Sequence, residues 1–368
     1  MMIHRSNTVR MFLTMMVAAV ALAGIACPPA GKGNENSSSG TSTNTKLNYD
    51  GPAVKLIGSG ATFPAPLYLQ WFTDLSNANK NIEIEYQSVG SGTGIKNFTA
   101  GTCDFGASDA AMSDDEIAKV KGGVIMLPMT AGSIVLAFNI PGVKELKLSR
   151  EAYVGIFLNK ITKWNDPKIA STNPGITLPD ADINTVHRSD SSGTTFGFTN
   201  HLNDASAEWK AGPGVGKAVN WPSGVGAGGN EGVSTTIMQT ANSIGYVEYG
   251  YAKQLEMPMA SLQNKNGKYA TASLDSAAKT LSAVVLPENL RAFITDPEGD
   301  ASYPIVSYTW LLCHPVYDDE NKCKALKALI DYCLHDGQKM SSQLGYVPLP
   351  ADVVAKVKAA ADKITWKK

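Results

Sequence analysis

The densest run of chemically useful side chains in this sequence is His187-Arg188-Ser189-Asp190-Ser191-Ser192-Gly193-Thr194-Thr195-Phe196. Arg188 supplies a permanent positive charge carried on a planar fork of N–H donors. Ser191, Ser192 and Thr194 add hydroxyls, and Gly193 removes the Cβ that would keep a backbone away from a ligand. Such a set binds an anion, because a helix entry made of small residues aims unpaired backbone N–H groups outward. An ordinary capped helix entry beside a surface arginine would read the same way, so the rest of the chain has to decide.

The elements that would position this stretch recur elsewhere. Ile183 and Val186 form a short apolar run before it, and Phe196 and Phe198 open a helical pattern after it. Val54 to Ile57 runs as a strand into Gly58-Ser59-Gly60-Ala61-Thr62-Phe63-Pro64, and then Leu67, Tyr68, Trp71, Phe72 and Leu75 fall at helical spacing. Ile82-Glu83-Ile84-Glu85-Tyr86 alternates as a strand, and Val89-Gly90-Ser91-Gly92-Thr93-Gly94 leads into a helix through Ile95 and Phe98. Cys103 to Ala110 ends a further strand in small residues and one carboxylate, Asp109. Each junction is common in α/β proteins, but together they offer several matching anion donors. An acceptor-only Asp109 among them would repel an anion unless that anion brought a proton, so it would admit a proton-bearing oxyanion and reject a fully ionised one. Asp109 could instead cap a helix over Met112 to Val120, a role that Ser113-Asp114-Asp115-Glu116 can also fill.

Composition narrows the classes. The chain has 368 residues, 43% of them hydrophobic, a formal net charge of -1 and a mean hydropathy of -0.10. That is enough chain for two domains, and the balanced charge argues against a nucleic-acid partner. The histidines (His4, His187, His201, His314, His335) are scattered, no Cys-x-x-Cys occurs, and no metal site is expected. Gly224-Val225-Gly226-Ala227-Gly228-Gly229 fits a dinucleotide-binding pattern, but Asn220-Trp221-Pro222-Ser223 before it is no buried strand, so a turn-rich loop is expected. The tyrosines Tyr246, Tyr249 and Tyr251 are expected to pack rather than bind.

The first residues read as an export signal. His4, Arg5 and Arg10 precede an uncharged apolar run from Met11 to Ala26, too short for a membrane span. Gly24-Ile25-Ala26-Cys27 resembles a bacterial lipobox, with Gly24 where a leucine is usual; Cys27 is then the lipidated mature N-terminus, and plain signal cleavage is the alternative. Residues 28–50 are rich in Gly, Ser, Asn and Thr and form a flexible tether. The remaining cysteines, Cys103, Cys313, Cys323 and Cys333, sit in a disulfide-permissive compartment. Cys323 and Cys333 would lie about 15 Å apart on one helix, so Cys313 is expected to pair with one of them.

Three of these stretches also carry a family resemblance: Gly58 to Pro66, Asp104 to Asp109 and Arg188 to Thr194. With Ile156 to Trp164, Trp221-Pro222, Gly224 to Gly232, Ile244 to Tyr249 and Gly345 to Pro350, the chain from about residue 52 onward resembles the phosphate-binding proteins of bacterial phosphate ABC transporters. The resemblance implies an α/β, type II periplasmic-binding-protein fold: two α/β domains with a hinge and an interdomain ligand cleft. Beside the signal peptide over residues 1–26 and the tether over 27–50 read above, it implies domain I over 51–131 and 302–368, and domain II over 132–301. The hinge crossings fall near Thr130 to Ser133 and near Ser302 to Ser307.

Carried over residue by residue, the phosphate ligands are Thr62, Phe63, Ser91 and Asp109 from the first domain and Arg188, Ser192, Gly193 and Thr194 from the second. Phe63 and Gly193 act through backbone N–H groups. The sequence departs after Ser91, where Gly92-Thr93-Gly94 replaces a usual Ser-Gly-Gly. The implied function is capture of inorganic phosphate outside the cytoplasmic membrane and delivery to membrane permease subunits, by a monomer anchored through Cys27, with no catalytic residue, cofactor or metal. Two alternatives stay open at this point: a phosphate-ester hydrolase using Ser192 or Thr194 as nucleophile beside Arg188, with His187 adjoining the loop, and a receptor for another tetrahedral oxyanion.

Overall fold

Strands and helices alternate from Val54 onward in a computed structural model that describes residues 49–368. The expected signal peptide, the expected lipidation site Cys27 and nearly all of the expected tether lie outside the described residues. The first half-sheet is built from Val54–Gly60 (β1), Ala65–Ala78 (α1), Ile82–Ser88 (β2), Ser91–Thr99 (α2), Phe105–Ser108 (β3) and Asp114–Ile117 (α3). The long strand Ile125–Asn139 (β4) follows, then Lys147–Leu148 (β5), Arg150–Phe157 (α4) and Pro167–Ala170 (α5). Next come Asn184–Arg188 (β6), Gly193–Ala205 (α6), Ala207–Ala211 (α7), Val225–Ala227 (β7), Gly229–Gln239 (α8), Ser243–Glu248 (β8) and Tyr249–Gln254 (α9). Ser261–Gln263 (β9), Tyr269–Ala270 (β10) and Leu274–Ser282 (α10) precede Val306–Cys313 (β11), and Glu320–Leu334 (α11) packs behind β1.

Eight strands join in the order β2-β1-β3-β11-β4-β8-β6-β7. Parallel pairs lie at both ends, and β11 runs antiparallel to β3 and β4. β4 is the seam. Its residues from Ile125 to Ser133 pair with β11, and those from Ile134 to Asn139 pair with β8. Thirteen of its positions are buried, as a strand covered on both faces requires. β2 at the edge instead alternates, which matches its Ile-Glu-Ile-Glu sequence. Because β4 runs through both halves, the described residues pack as a single unit.

One irregularity bears on the site. Pro128 lies inside β4, where it cannot donate a ladder hydrogen bond. The register against β11 slips there, between Thr309 and Trp310. The register skips Met129 of β4, and Thr309 at the slip donates from Oγ1 to Asp109 Oδ1 at 2.9 Å. Trp310, 1% exposed, donates its indole N–H to the Leu290 carbonyl at 2.8 Å. Trp310→Ala should lower unfolding free energy by about 3–5 kcal/mol in a urea titration, the usual cost of emptying so large a site.

Two expectations need correction. The disulfide from Cys313 does not form; Cys103, Cys313, Cys323 and Cys333 are all free and buried. Cys313 closes β11 and the other two lie on the buried face of α11, where they pack as small apolar groups. The glycine-rich segment at 224–229 is not merely a turn. Val225–Ala227 pairs in parallel with β6 and Gly229 opens α8, which adds another strand-to-helix junction. Among the described residues, no helix is long and apolar enough to cross a membrane.

Candidate anion-binding site

Strand-to-helix junctions from the two halves of the sheet meet at one place. Thr62 and Phe63 lie between β1 and α1, Ser91 opens α2, and Asp109 follows β3. Ser192 is the N-cap of α6, its Oγ accepting from the Thr195 N–H at 3.1 Å, and Gly193 is the first helical residue. The first N–H groups of α1, α2 and α6 have no carbonyl partner within their own helices. Short strands ending in small residues bring these ends close together.

Contacts within the cluster are direct. Ser91 Oγ accepts from the Asp109 N–H at 3.1 Å and lies 3.4 Å from Asp109 Oδ2. A Cβ added to Gly193 would lie 2.4 Å from Ser91 Oγ and 2.7 Å from Asp109 Oδ2, so only glycine lets α6 approach this closely. Gly90, at φ +89°, lies under Asp190, and the Gly92 N–H donates to the Ser191 carbonyl at 2.9 Å. Arg188 donates from Nη1 to Thr194 Oγ1 at 3.3 Å. Thr62, Ser91, Asp109, Arg188, Ser192, Gly193 and Thr194 are all buried, so any anion held here gives up its water. The Phe63 carbonyl accepts from Tyr346 Oη at 2.7 Å, and the Thr62 carbonyl accepts from Tyr251 Oη at 2.7 Å. These bonds fix the loop that carries the first donors.

Charge is arranged with equal care. Arg188 is 1% exposed at its side chain and forks onto Asp190, from Nε to Oδ1 at 2.7 Å and from Nη2 to Oδ2 at 2.5 Å. Burial would raise the Asp190 carboxyl, but the Arg188 fork outweighs it and holds Asp190 below the ordinary carboxylate range. Asp109 behaves in the opposite way. Burial pushes it up to about 7, against a hydrogen bond from Thr309 at 2.9 Å, the Arg188 charge and Ser91. Near neutrality one carboxylate is therefore committed to the arginine while the other is poised to hold or release a proton. Glu248, buried beside Gly132, is raised well above the usual range, chiefly by burial.

Sequence reasoning missed four participants. Asp190 lay inside the opening stretch, and its spacing from Arg188 was the available signal. Gly229 donates to Asp190 Oδ1 at 3.1 Å, and Asn230 donates from Nδ2 to Thr62 Oγ1 at 2.8 Å and to Thr194 Oγ1 at 3.2 Å. Both stand at the α8 junction, which repeats the strand, small-residue and helix pattern of the others. Thr309 gave no local signal. Asp109 does not cap the following helix; Ser113 does, in a capping box with Glu116. Tyr246 packs in the core, but its hydroxyl also accepts from the Arg188 N–H at 3.0 Å.

A family model for the PBP superfamily domain matches residues 35–336. The phosphate-binding protein PstS of Pasteurella multocida is 42% identical over 311 residues, covering 83% of this chain and 90% of that protein. The chain belongs to the phosphate-binding protein family of the PBP superfamily. Within this family, the Xylella fastidiosa (strain Temecula1) phosphate-binding protein PstS is 39% identical over 356 residues, covering 94% of this chain and 96% of that one. Among solved structures, a periplasmic phosphate-binding protein with bound phosphate superposes with a TM-score of 0.72 at 22% identity, covering 83% and 93% of the two chains. The phosphate-binding protein of Stenotrophomonas maltophilia gives 0.66 at 20% identity, over 83% and 93%. The fold is the type II periplasmic-binding-protein fold.

Proposed function

We propose that this chain captures inorganic phosphate between its two half-sheets and hands it to the permease subunits of an ABC transporter. The observation that carries the reading is the opposition of Arg188, held by Asp190, to Asp109, a carboxyl raised to about 7. Arg188 supplies attraction and, with one Nη1 proton on Thr194, keeps the second for the ligand. Thr62, Phe63, Ser91, Ser192, Gly193 and Thr194 supply hydroxyl and backbone donors to the oxygens. Asp109 accepts the proton that monobasic and dibasic phosphate carry and sulfate lacks. Dehydration in a buried site makes each of these bonds count for more than it would in water.

Lobes spanning 51–131 with 302–368, and 132–301, close about the crossings at Ser133 in β4 and Ser302 to Ser307. Donors divided between two lobes satisfy the ligand only in the closed form, which is why closure follows binding. The protein works outside the cytoplasmic membrane as a monomer, tethered through a lipid on Cys27. Turnover is not part of the reading: His187 stacks on Trp221 at 5.1 Å with Nδ1 3.1 Å from the Arg188 carbonyl, and Ser192 Oγ serves as a helix cap.

Titration calorimetry with inorganic phosphate, beside a phosphate-ester hydrolysis assay, tests this. One phosphate bound per chain and no hydrolysis is the expected result; hydrolysis lost in Ser192→Ala would overturn it. Gly193→Ala, whose Cβ would press on Ser91 and Asp109, should weaken phosphate binding more than tenfold in the same titration. Acylation of Cys27 is read by incorporation of labelled fatty acid, which Cys27→Ser should abolish.

A further inference from the structure

We infer that Asn230 is a positioning residue that sets the polarity of two ligand hydroxyls, turning Thr62 and Thr194 into obligatory donors. The inference rests on the phosphate reading of the site and adds a residue to it. Asn230 is fully buried at the start of α8. Its amide orientation is fixed, because Oδ1 accepts from the Glu248 N–H at 2.9 Å and a backbone N–H can only donate. Nδ2 must then face the threonines, and its two protons go to Thr62 Oγ1 at 2.8 Å and to Thr194 Oγ1 at 3.2 Å.

A hydroxyl has two lone pairs and one proton. Thr62 Oγ1 accepts a second bond from the Asn230 backbone N–H at 3.2 Å. Thr194 Oγ1 accepts its second from Arg188 Nη1 at 3.3 Å. Both lone pairs of each oxygen are thus taken, and the proton is the only function left to each hydroxyl. With neither oxygen able to accept, a ligand group that must donate finds no partner at these two hydroxyls and is left to Asp109, while an ionised oxygen finds two donors. Asn230 also joins the two lobes, since Thr62 lies on the β1–α1 loop and Thr194 on α6.

Calorimetry of the full chain with inorganic phosphate, as a mutant cycle, separates this role from packing. Asn230→Ala should lower affinity roughly 30-fold, the scale of two weakened hydrogen bonds to a charged group. In a chain already carrying Thr62→Val and Thr194→Val, the same change should cost less than about threefold, because the hydroxyls through which Asn230 acts are gone. Equal losses in the two backgrounds overturn the inference while leaving the phosphate reading intact. Absence of phosphate binding by the unsubstituted chain overturns both. Should the variants not fold, NMR of the unsubstituted phosphate complex decides. Scalar coupling of both threonine hydroxyl protons to phosphorus is expected, and its absence from either rejects the assignment.

Discussion

Replacing Arg188 by Met should lower phosphate affinity by at least about a thousandfold. Arg188 is the charge at the centre of the site, and its guanidinium is shielded from water on every side. Removing it deletes a charge-assisted donor to the anion. It also strips Asp190 of both fork bonds, leaving a mostly buried carboxylate that repels the ligand. Truncating one member of a buried charged pair commonly costs about 2–5 kcal/mol, and losing the donor adds about 1.5–3 kcal/mol. Arg188→Lys should fall between, since a point charge cannot hold Asp190 through two bonds and still reach Thr194. Calorimetry on both variants checks the order; a Met variant within tenfold of the unsubstituted chain would place the ligand elsewhere.

The second large effect concerns Asp109 and is read through pH. With its carboxyl at about 7, Asp109 is protonated below that pH and can donate to phosphate or sulfate alike. Above it the carboxylate needs a proton, which phosphate brings and sulfate does not. Sulfate affinity should therefore fall about tenfold per unit above pH 7, while phosphate continues to bind. Asp109→Asn removes the titration. By pH 8.5 its sulfate affinity should exceed that of the unsubstituted chain about 30-fold, the factor for 1.5 units. Discrimination that survives intact in Asp109→Asn would transfer selectivity to another group.

The same group has a stability consequence with a definite sign. A carboxyl raised in the folded state binds a proton on folding between its ordinary 3.8 and about 7. Its stabilising contribution is present below that window and is lost as pH rises through it. The ligand-free thermal midpoint should decline across the window, and Asp109→Asn should flatten part of the decline. Glu248, raised in the same direction, supplies a slope of the same sign and keeps the rest.

How far the sequence reveals this molecule depends on how local each interaction is. The face Leu67, Tyr68, Trp71, Phe72 and Leu75 is evident from spacing alone and is buried along α1, because helical periodicity is a local property. The Gly/Ser/Thr junctions are visible for the same reason: each is written within ten residues. Thr309 is invisible, since its approach to Asp109 depends on β11 pairing beside β3, across 200 residues of sequence. Asn230 is hidden by a three-residue edge strand too short to show a pattern. The cysteines mislead because compartment permits a disulfide, whereas the packing of β11 and α11 decides whether one forms.

The most direct test of the central claim is a paired titration of the unsubstituted chain with phosphate and with sulfate at pH 6 and pH 8.5. The account expects phosphate to bind at both values and sulfate to lose most of its affinity at the higher one. Equal, pH-independent binding of the two anions would contradict the role given to Asp109 and with it the assignment of the site to a proton-bearing anion.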